Sequence, residues 1–365
     1  MAMNKLPASA GAVIFGVLAL LPLASGSQYI LSVGAMTLLY AYLALSWNIL
    51  GGIAGQLSLG HAAYFGLGAY TSTWLFVNLG ISPWLGMWAG AAVAIAAALL
   101  VGISCLQLRG AYFALASIAS CMVLKTLVEN ADTLLGGPRG MEVTLLRDAP
   151  LYFQHTGKAF YYIVALVFTV AALLVNRHVL RSRFGYCLTA VRNDQEAAMA
   201  LGVPVRRYKL SAAALSAAMT ALGGTFYAQF VLYISPDKVF GANLGVIIAV
   251  VCIIGGRGTL WGPVLGAVLL LPGEELARSL TGGMVGADMM LYGLLLMIII
   301  RWEPRGLMAL LTRRAGAPIR HGGGAANPSD KPRGERDEPA RIPGRQPQLR
   351  RSASLRPGQL HRGRR

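Results

Sequence analysis

The chain has 365 residues, of which 55% are hydrophobic and only 13% are charged. A soluble domain usually carries about 25% charged residues, so the composition indicates a membrane protein. The formal net charge of +17 does not favour nucleic-acid binding, because 14 basic residues lie between Arg313 and Arg365 and seven more lie in the segment 177–209. Basic residues gathered in short loops beside apolar spans follow the positive-inside rule.

Ten apolar segments are long enough, at about 20 residues, to be candidate transmembrane helices. The predicted fold is an all-α bundle of eight to ten spans, with the N-terminus and the C-terminus cytoplasmic. The first segment is interpreted as a retained helix rather than a signal peptide, because many apolar segments follow it. The eighth and ninth are alternatively one broken or re-entrant element. The segments run 10–25, 29–50, 60–79, 84–106, 110–128, 159–176, 209–233, 243–255, 262–281 and 285–301.

With ten spans and a cytoplasmic N-terminus, the basic segment 177–209 and the basic C-terminal segment fall on one side of the membrane. The segment 129–158, whose charges are mixed, is then an external loop. Residues 1–312 are predicted to form the transmembrane domain. Residues 313–365 are rich in proline, glycine and arginine and are predicted to be a disordered basic cytoplasmic tail.

Two glycine-rich blocks, 47–72 and 253–267, each lie where an apolar span begins or ends. Glycine there permits broken helices, whose free backbone groups can contact a zwitterionic solute. Each block contains a Gly-Gly pair, which suggests an internal repeat. Taken singly, polar residues in such blocks more often hydrogen-bond a neighbouring helix, and that interpretation is favoured for each. The candidate translocation-path residues are Gly55, Gln56, Ser58, Gly60, His61, Gly255, Gly256, Gly258 and Thr259.

The segment between the sixth and seventh spans has the period of a short amphipathic helix over 188–202. Its apolar face is predicted to hold Leu188, Val191, Ala198 and Leu201, and Gly202 followed by Pro204 ends it. A short helix between two spans is what a membrane subunit needs to bind a soluble partner. The alternative is an interfacial helix that lies on the membrane.

The sequence offers little chemistry of its own. Only Glu274, Glu275 and Asp288 are acidic residues within or beside a span, so proton-relay groups are scarce. No GxxxxGK[ST] phosphate-binding motif occurs, which means that energy for active transport should come from another subunit. The four cysteines and five histidines show no metal-ligand spacing, and no catalytic residue or metal site is assigned.

Three blocks resemble permease subunits of ABC transporters for branched-chain amino acids, and the resemblance covers residues 29–312. Block 47–72 resembles the family's glycine-rich early span, and block 253–267 resembles its Gly-Gly-x-Gly-Thr segment, which RWEPRGL (301–307) follows. The segment 181–202 resembles its cytoplasmic coupling region, with one extra residue, Phe184. The basic tail departs from the family pattern. The matching residues of 181–202 are Ser182, Arg183, Gly185, Leu188, Ala190, Val191, Arg192, Asn193, Ala197, Ala198 and Gly202.

The resemblance implies a permease of an ATP-driven importer in a bacterial inner membrane, which conducts branched-chain or similar small amino acids. It implies a sister permease, ATP-binding cassette subunits that hold ATP and magnesium, and a periplasmic solute-binding protein, with no cofactor in this chain. The rivals are an ion-coupled secondary transporter, which would need the acidic residues above as a relay, and a scaffold protein. The implied coupling residues are Arg183, Gly185, Ala190, Arg192, Asp194, Glu196, Ala197, Ala198 and Gly202.

Overall fold

A computed structural model describes residues 26–105, 108, 110–145 and 149–281, with isolated positions 16, 22, 286, 290, 293, 297, 301 and 306–308. All of them belong to one compact unit, Met1–Ala317. The predicted tail 313–365 lies outside the described residues. The predicted spans 10–25 and 285–301 lie mostly outside them, so these three segments stay predictions.

The described chain is an all-α bundle, as the apolar segments predict. The other eight predicted spans each correspond to a helix of 15 residues or more. The long helices are α1 (Gln28–Trp47, continued by a π-helix at Asn48–Ile53), α2 (His61–Leu79), α3 (Pro83–Cys105), α4 (Ala111–Glu129), α6 (Lys158–Arg181), α9 (Val205–Val231), α11 (Ala242–Gly256) and α12 (Gly262–Leu280). The short ones are α5 (Asp132–Leu135), α7 (Arg183–Asn193), α8 (Gln195–Ala200) and α10 (Pro236–Val239).

Six helical stretches among the described residues are long and apolar enough to cross a membrane. They are α1 with its π-helix, α3, α4, α6, α9, and α10 together with α11. Apolar side chains on the outside of the bundle remain exposed, and Leu85, Trp88 and Leu100 on α3 are 65–73% exposed. Such a surface is typical of a protein whose solvent is lipid.

The α6–α9 turn defines one end of the bundle, here called the basic end. It carries Arg177, Arg181, Arg183, Arg206 and Arg207. The other end, here called the opposite end, carries the segment between α4 and α6. Hydrogen bonds between elements show which of their residues lie at the same height along the bundle. Thr225 on α9 lies level with Gly68 on α2, and Lys125 on α4 lies level with Asp237 on α10.

Small residues bring the central helices α2, α3 and α9 close together. A Cβ added at Gly68 would overlap the carbonyl group of Ala221, and one added at Gly224 would overlap that of Phe65. Lipid tails are as apolar as the helix surfaces, so the hydrophobic effect does not drive helices together within the membrane. Close van der Waals packing between small residues does so instead. Gly68 and Gly224 therefore set the close spacing of α2 and α9.

The external loop predicted at 129–158 lies between α4 and α6, as expected, but it is packed onto the bundle. Its strand β1 (Met141–Glu142) pairs antiparallel with β2 (Tyr233–Ile234). The Phe153 ring stacks on Trp84 with 4.2 Å between the ring centroids. The loop therefore caps the opposite end of the bundle.

The amphipathic helix predicted over 188–202 is wrong in one respect, because two helices, α7 and α8, replace it. Asp194 interrupts them with an extended backbone (φ −152°, ψ 111°). Its Oδ1 accepts hydrogen bonds from the backbone N–H of Glu196 at 2.9 Å and of Ala197 at 3.0 Å, which caps α8.

This break changes which side chains of the segment share a face. Leu188, Val191 and Ala198 are buried, as predicted. Leu201 was predicted on the same face but is 84% exposed. The helix restarts after Asp194 and ends at Ala200, so Ala198 is still buried but Leu201 lies beyond the helix, and the periodicity does not extend to it.

The eighth and ninth predicted spans are separate helices, α11 and α12. Residues 257–261 form the turn between them, and α12 continues through Pro272 to Leu280.

The tight packing of α3 generates a stability prediction. Ala94 is fully buried against Tyr64, Ala217 and Ala221, whereas Ala96 on the same helix is exposed. We expect Ala94→Val to destabilise the protein by about 1–3 kcal/mol through overpacking. Thermal unfolding of the detergent-solubilised protein measures this, with Ala96→Val as the matched control. Equal melting temperatures for the two variants would contradict the packing.

Candidate functional site

The first helix break lies between α1 and α2. The π-helix at Asn48–Ile53 leads into a non-helical stretch, 54–60, before α2 begins at His61. Gly55 has φ +72°, which favours glycine. His61 bonds Ser216, the twelfth of the 27 residues of α9, so the break lies near mid-height in the bundle. Non-helical backbone at this depth is tolerated only inside protein or beside a cavity.

Polar side chains of the first break mostly bind each other. The two His61 ring nitrogens lie 3.0 Å from Ser58 Oγ and 2.8 Å from Ser216 Oγ. Trp47 Nε1 donates to the Ser58 carbonyl oxygen at 2.6 Å, and Ser216 Oγ donates to the Ser46 carbonyl oxygen at 2.7 Å. The geometry therefore favours a structural role for Ser58 and His61.

Gln56 is different from its neighbours in the break. Its Oε1 is buried and has no hydrogen-bond partner among the residues that the structure describes. Gly60 packs so closely on α4 that a Cβ there would overlap the carbonyl group of Ser117. Among the polar side chains predicted for the path in this block, Gln56 thus differs from Ser58 and His61, whose polar atoms are paired.

The second break is the turn between α11 and α12. Gly256 and Gly258 have φ of +125° and +76°. Thr259 Oγ1 donates to the Gly256 carbonyl oxygen at 2.7 Å and accepts from the backbone N–H of Gly262 at 3.1 Å. A Cβ at Gly255 would overlap the Gly262 carbonyl group. Thr259 and the glycines therefore close this turn.

The Asn48 side chain joins the two breaks. Its Oδ1 accepts from the backbone N–H of Gly258 at 2.7 Å, and its Nδ2 donates to the Thr259 carbonyl oxygen at 3.0 Å. Nδ2 also lies 3.2 Å from Asn176 Oδ1 on α6. Asn48 is fully buried. The two sets of predicted path residues thus form one site although 210 positions separate Asn48 from Gly258.

Arg192 connects the segment 181–204 to this site. Its Nη1 donates to the Gly52 carbonyl oxygen at 2.6 Å, and its aliphatic stem lies against Gly55. The residue as a whole is exposed, but this contact is partly buried. Burial, with the nearby charge of Arg257, lowers the pKa of the Arg192 guanidinium. Arginine remains charged at neutral pH, so the bond is charge-assisted.

The other predicted coupling residues divide into two groups. Gly185, Asp194 and Ala198 shape the segment: Gly185 packs on the Val179 carbonyl group, Asp194 caps α8, and Ala198 packs with Val191. The second group is exposed at the surface of the basic end. It comprises Arg183, Ala190, Glu196, Ala197 and Gly202.

Two side chains that hold this arrangement were not predicted as site residues. Asn48 lies in the block 47–72 that resembles the family's early span, and Lys209 is one of the seven basic residues of the segment 177–209. Lys209 is 1% exposed, and its Nζ donates to Gln195 Oε1 at 2.8 Å, which ties α8 to α9. The position of Asn48 inside the apolar span 29–50 could have identified it from the sequence. A polar side chain within a span needs a hydrogen-bond partner in the bundle.

The acidic residues that a proton relay would need are paired near the opposite end. Arg278 lies 3.4 Å from Glu274 and 3.2 Å from Glu275, and the Tyr29 hydroxyl donates to Glu275 at 2.6 Å. Asp288 lies outside the described residues. Within the described ranges, no cluster of three His, Cys, Asp or Glu residues could hold a metal ion.

An apolar helix bundle with non-helical backbone near its centre is typical of membrane transport proteins. A family model described as branched-chain amino acid transport system / permease component matches residues 29–300. The chain therefore belongs to the branched-chain amino acid ABC transporter permease family and is a multi-pass membrane permease.

Several characterised permeases are similar over most of the chain. The high-affinity branched-chain amino acid transport system permease protein LivM of Escherichia coli (strain K12) is 29% identical, over 78% of this chain and 71% of LivM. LivH of the same strain, also named as a permease protein of such a system, is 26% identical over 66% and 82%. BraD of Pseudomonas aeruginosa is 24% identical over 74% and 91%. No solved structure matches the chain significantly.

The buried position of Asn48 leads to a second stability prediction. Asn48→Ala removes the bonds to Gly258 and Thr259 and leaves their backbone groups without that partner, which costs about 1–3 kcal/mol for each buried group. We expect a clearly lower melting temperature in detergent. Asn78→Ala is the control, because Asn78 is exposed and its side chain bonds the Trp74 carbonyl oxygen of its own helix. Unfolding of both variants at the wild-type temperature would contradict the role of Asn48.

Proposed function

We propose that this chain is the membrane-spanning permease subunit of an ATP-driven importer in a bacterial inner membrane. It provides the translocation path for branched-chain or similar small amino acids. The names of LivM, LivH and BraD support this substrate class. The observation that supports coupling to a separate ATP-hydrolysing subunit is the hydrogen bond from Arg192 to the Gly52 carbonyl oxygen. This bond links a surface helix to a break in the proposed path.

The basic end is the cytoplasmic side in this proposal, because basic residues remain inside. The helices α7 and α8 then face the cytoplasm, where an ATP-binding cassette subunit binds them and holds ATP and magnesium. Similarity to both LivM and LivH supports a sister permease of the same family. A solute-binding protein docks on the opposite end, against the cap formed by 129–158.

The docking surface for the ATP-binding subunit is apolar at its tip. Leu201 is 84% exposed, Tyr186 is 53% exposed and Met199 is 47% exposed. Apolar side chains that a polar rim surrounds mark protein–protein contacts. The exposure of Leu201, which contradicted the predicted helix, gives it a role in this contact.

Movement of α7 reaches the path through Arg192. A displacement of the helix by the ATP-binding subunit moves the carbonyl group of Gly52, and Asn48 passes that movement to Gly258 and Thr259. Both breaks then change together. This is the kind of discrete rearrangement that alternating access requires.

The coupling role of Arg192 predicts a transport defect without loss of assembly. In Arg192→Glu the charge reverses and the hydrogen bond to Gly52 is lost, so we expect ATP-driven leucine uptake in vesicles to fall about tenfold or more, the scale of a charged hydrogen bond. The ATP-binding subunit should still co-purify. Arg206→Glu, the same change at an exposed residue of the basic end, is the control. Wild-type uptake in Arg192→Glu would contradict the coupling role.

The apolar tip predicts a separate defect in assembly. Leu201→Asp places a charge in the proposed contact, and we expect the ATP-binding subunit to be lost from the detergent-purified complex. Leu134→Asp is the control, since Leu134 is 63% exposed at the opposite end. Retention of the subunit by Leu201→Asp would show that α8 is not the docking surface.

A further inference from the structure

Helix α2 carries two buried hydroxyl groups that the path described above does not use. Tyr70 is 2% exposed and Thr73 is fully buried. Neither Tyr70 Oη nor Thr73 Oγ1 has a hydrogen-bond partner within the described part of the chain. Three positions apart on one helix, they lie on the same face. Buried polar atoms without partners are rare, and each one calls for an explanation such as a ligand or a water molecule.

An ion-paired cluster lies at the opposite end of the bundle, on α4 and on the short helix α10, which precedes the Phe240 that packs on Tyr70. Lys125 Nζ contacts Asp237 Oδ1 at 2.5 Å and Glu129 Oε1 at 3.5 Å. The Tyr70 ring packs on Phe240, with 5.8 Å between the ring centroids, and Phe240 directly follows the short helix that carries Asp237.

We propose that Tyr70, Thr73, Lys125, Glu129 and Asp237, here called the hydroxyl site, bind the ammonium and carboxylate groups of an amino acid. This inference rests on the proposed function and locates where the permease receives its solute from the external side. It is a different place from the two helix breaks that Asn48 joins, because Asn48 bonds Asn176 near the basic end of α6.

The charges at the hydroxyl site suit a zwitterion. The Lys125 ammonium group already occupies the place on the Asp237 and Glu129 carboxylates that a ligand ammonium group would take. A ligand carboxylate accepts hydrogen bonds from Lys125 and from the two hydroxyls, each of which can donate. Lys125 then leaves the carboxylates of Asp237 and Glu129 for the carboxylate of the ligand, and the ligand ammonium group takes its place. The net charge of the site therefore does not change when a zwitterion binds.

Phe240 forms an apolar wall behind the Tyr70 ring. Phe240 is 1% exposed and packs against both Tyr70 and α4, where the Cys121 thiol donates to its carbonyl oxygen at 3.3 Å. Polar groups that orient a ligand beside an apolar wall are the usual composition of a small-molecule site. The same oxygen atoms could also hold a monovalent cation, and the experiment separates the two.

The test uses this chain purified with its sister permease and ATP-binding subunits but without the solute-binding protein, and the double variant Tyr70→Phe with Thr73→Val. These changes remove the hydroxyl groups and keep the side-chain shapes. We expect the affinity of the detergent-purified complex for radiolabelled leucine to fall about tenfold or more, because each hydrogen bond contributes about fivefold. Leucinamide and 4-methylpentanoate, which each lack one charged group, should compete weakly. Tyr29→Phe is the control, because that hydroxyl bonds Glu275 away from the site.

A second variant protects the test against a folding defect. Lys125→Met changes a partly exposed residue and removes the partner of the ligand carboxylate, so leucine affinity should fall while leucinamide competes as before. Unchanged leucine affinity in both variants would overturn the site. The site would also be overturned if the two variants lost binding of sodium and kept binding of leucine. Absence of ATP-driven leucine uptake by the wild-type complex would contradict the proposed function itself. Normal uptake by the wild type and equally by the double variant would contradict only the hydroxyl site.

Discussion

The hydrogen bonds of the Asn48 side chain are the constraint on which the central site depends. Two helices end inside the bundle, and each end exposes backbone groups that lipid cannot satisfy. One amide side chain of the first break satisfies two backbone groups of the second, because its oxygen accepts from the Gly258 N–H and its nitrogen donates to the Thr259 carbonyl group. Without this residue the second break would lose its connection to the first.

Glycine allows this geometry where a side chain would prevent it. Gly52 lies so close to Asn48 that a Cβ at position 52 would overlap Asn48 Oδ1. The aliphatic stem of Arg192 fills the space that a Cβ at position 55 would occupy. Arg192 then reaches the Gly52 carbonyl oxygen from the surface of the basic end. The break is thus held from inside by an amide and from outside by a charge, and the coupling proposed above depends on this link.

Much of this organisation could be predicted from the sequence. Composition gave the helical bundle, glycine clusters gave the position of both breaks, and charge gave the basic end. The face of 188–202 could not be predicted, because the capping bonds of Asp194 end one helix and begin another within a single residue. Periodicity assumes an uninterrupted helix, so Leu201 was placed on the wrong side.

Partner choice was also beyond the sequence. Gln56, Ser58 and His61 are equally polar, yet Ser58 and His61 bind within the protein while the Gln56 oxygen has no partner among the described residues. Lys209 looks like its neighbouring loop cations, and only the packing of α8 on α9 buries it. Such differences arise from contacts between distant segments, which residue type and spacing do not encode.

The central claim is that α7 and the first helix break move as one unit because Arg192 joins them. Spin labels at Ala190 on α7 and at Leu57 in the break, both at least partly exposed, report their separation in the reconstituted complex. We expect the same distance distribution without nucleotide and in the ATP-bound state. A distance that changes between these two states would show that α7 moves independently of the break and that Arg192 does not couple them.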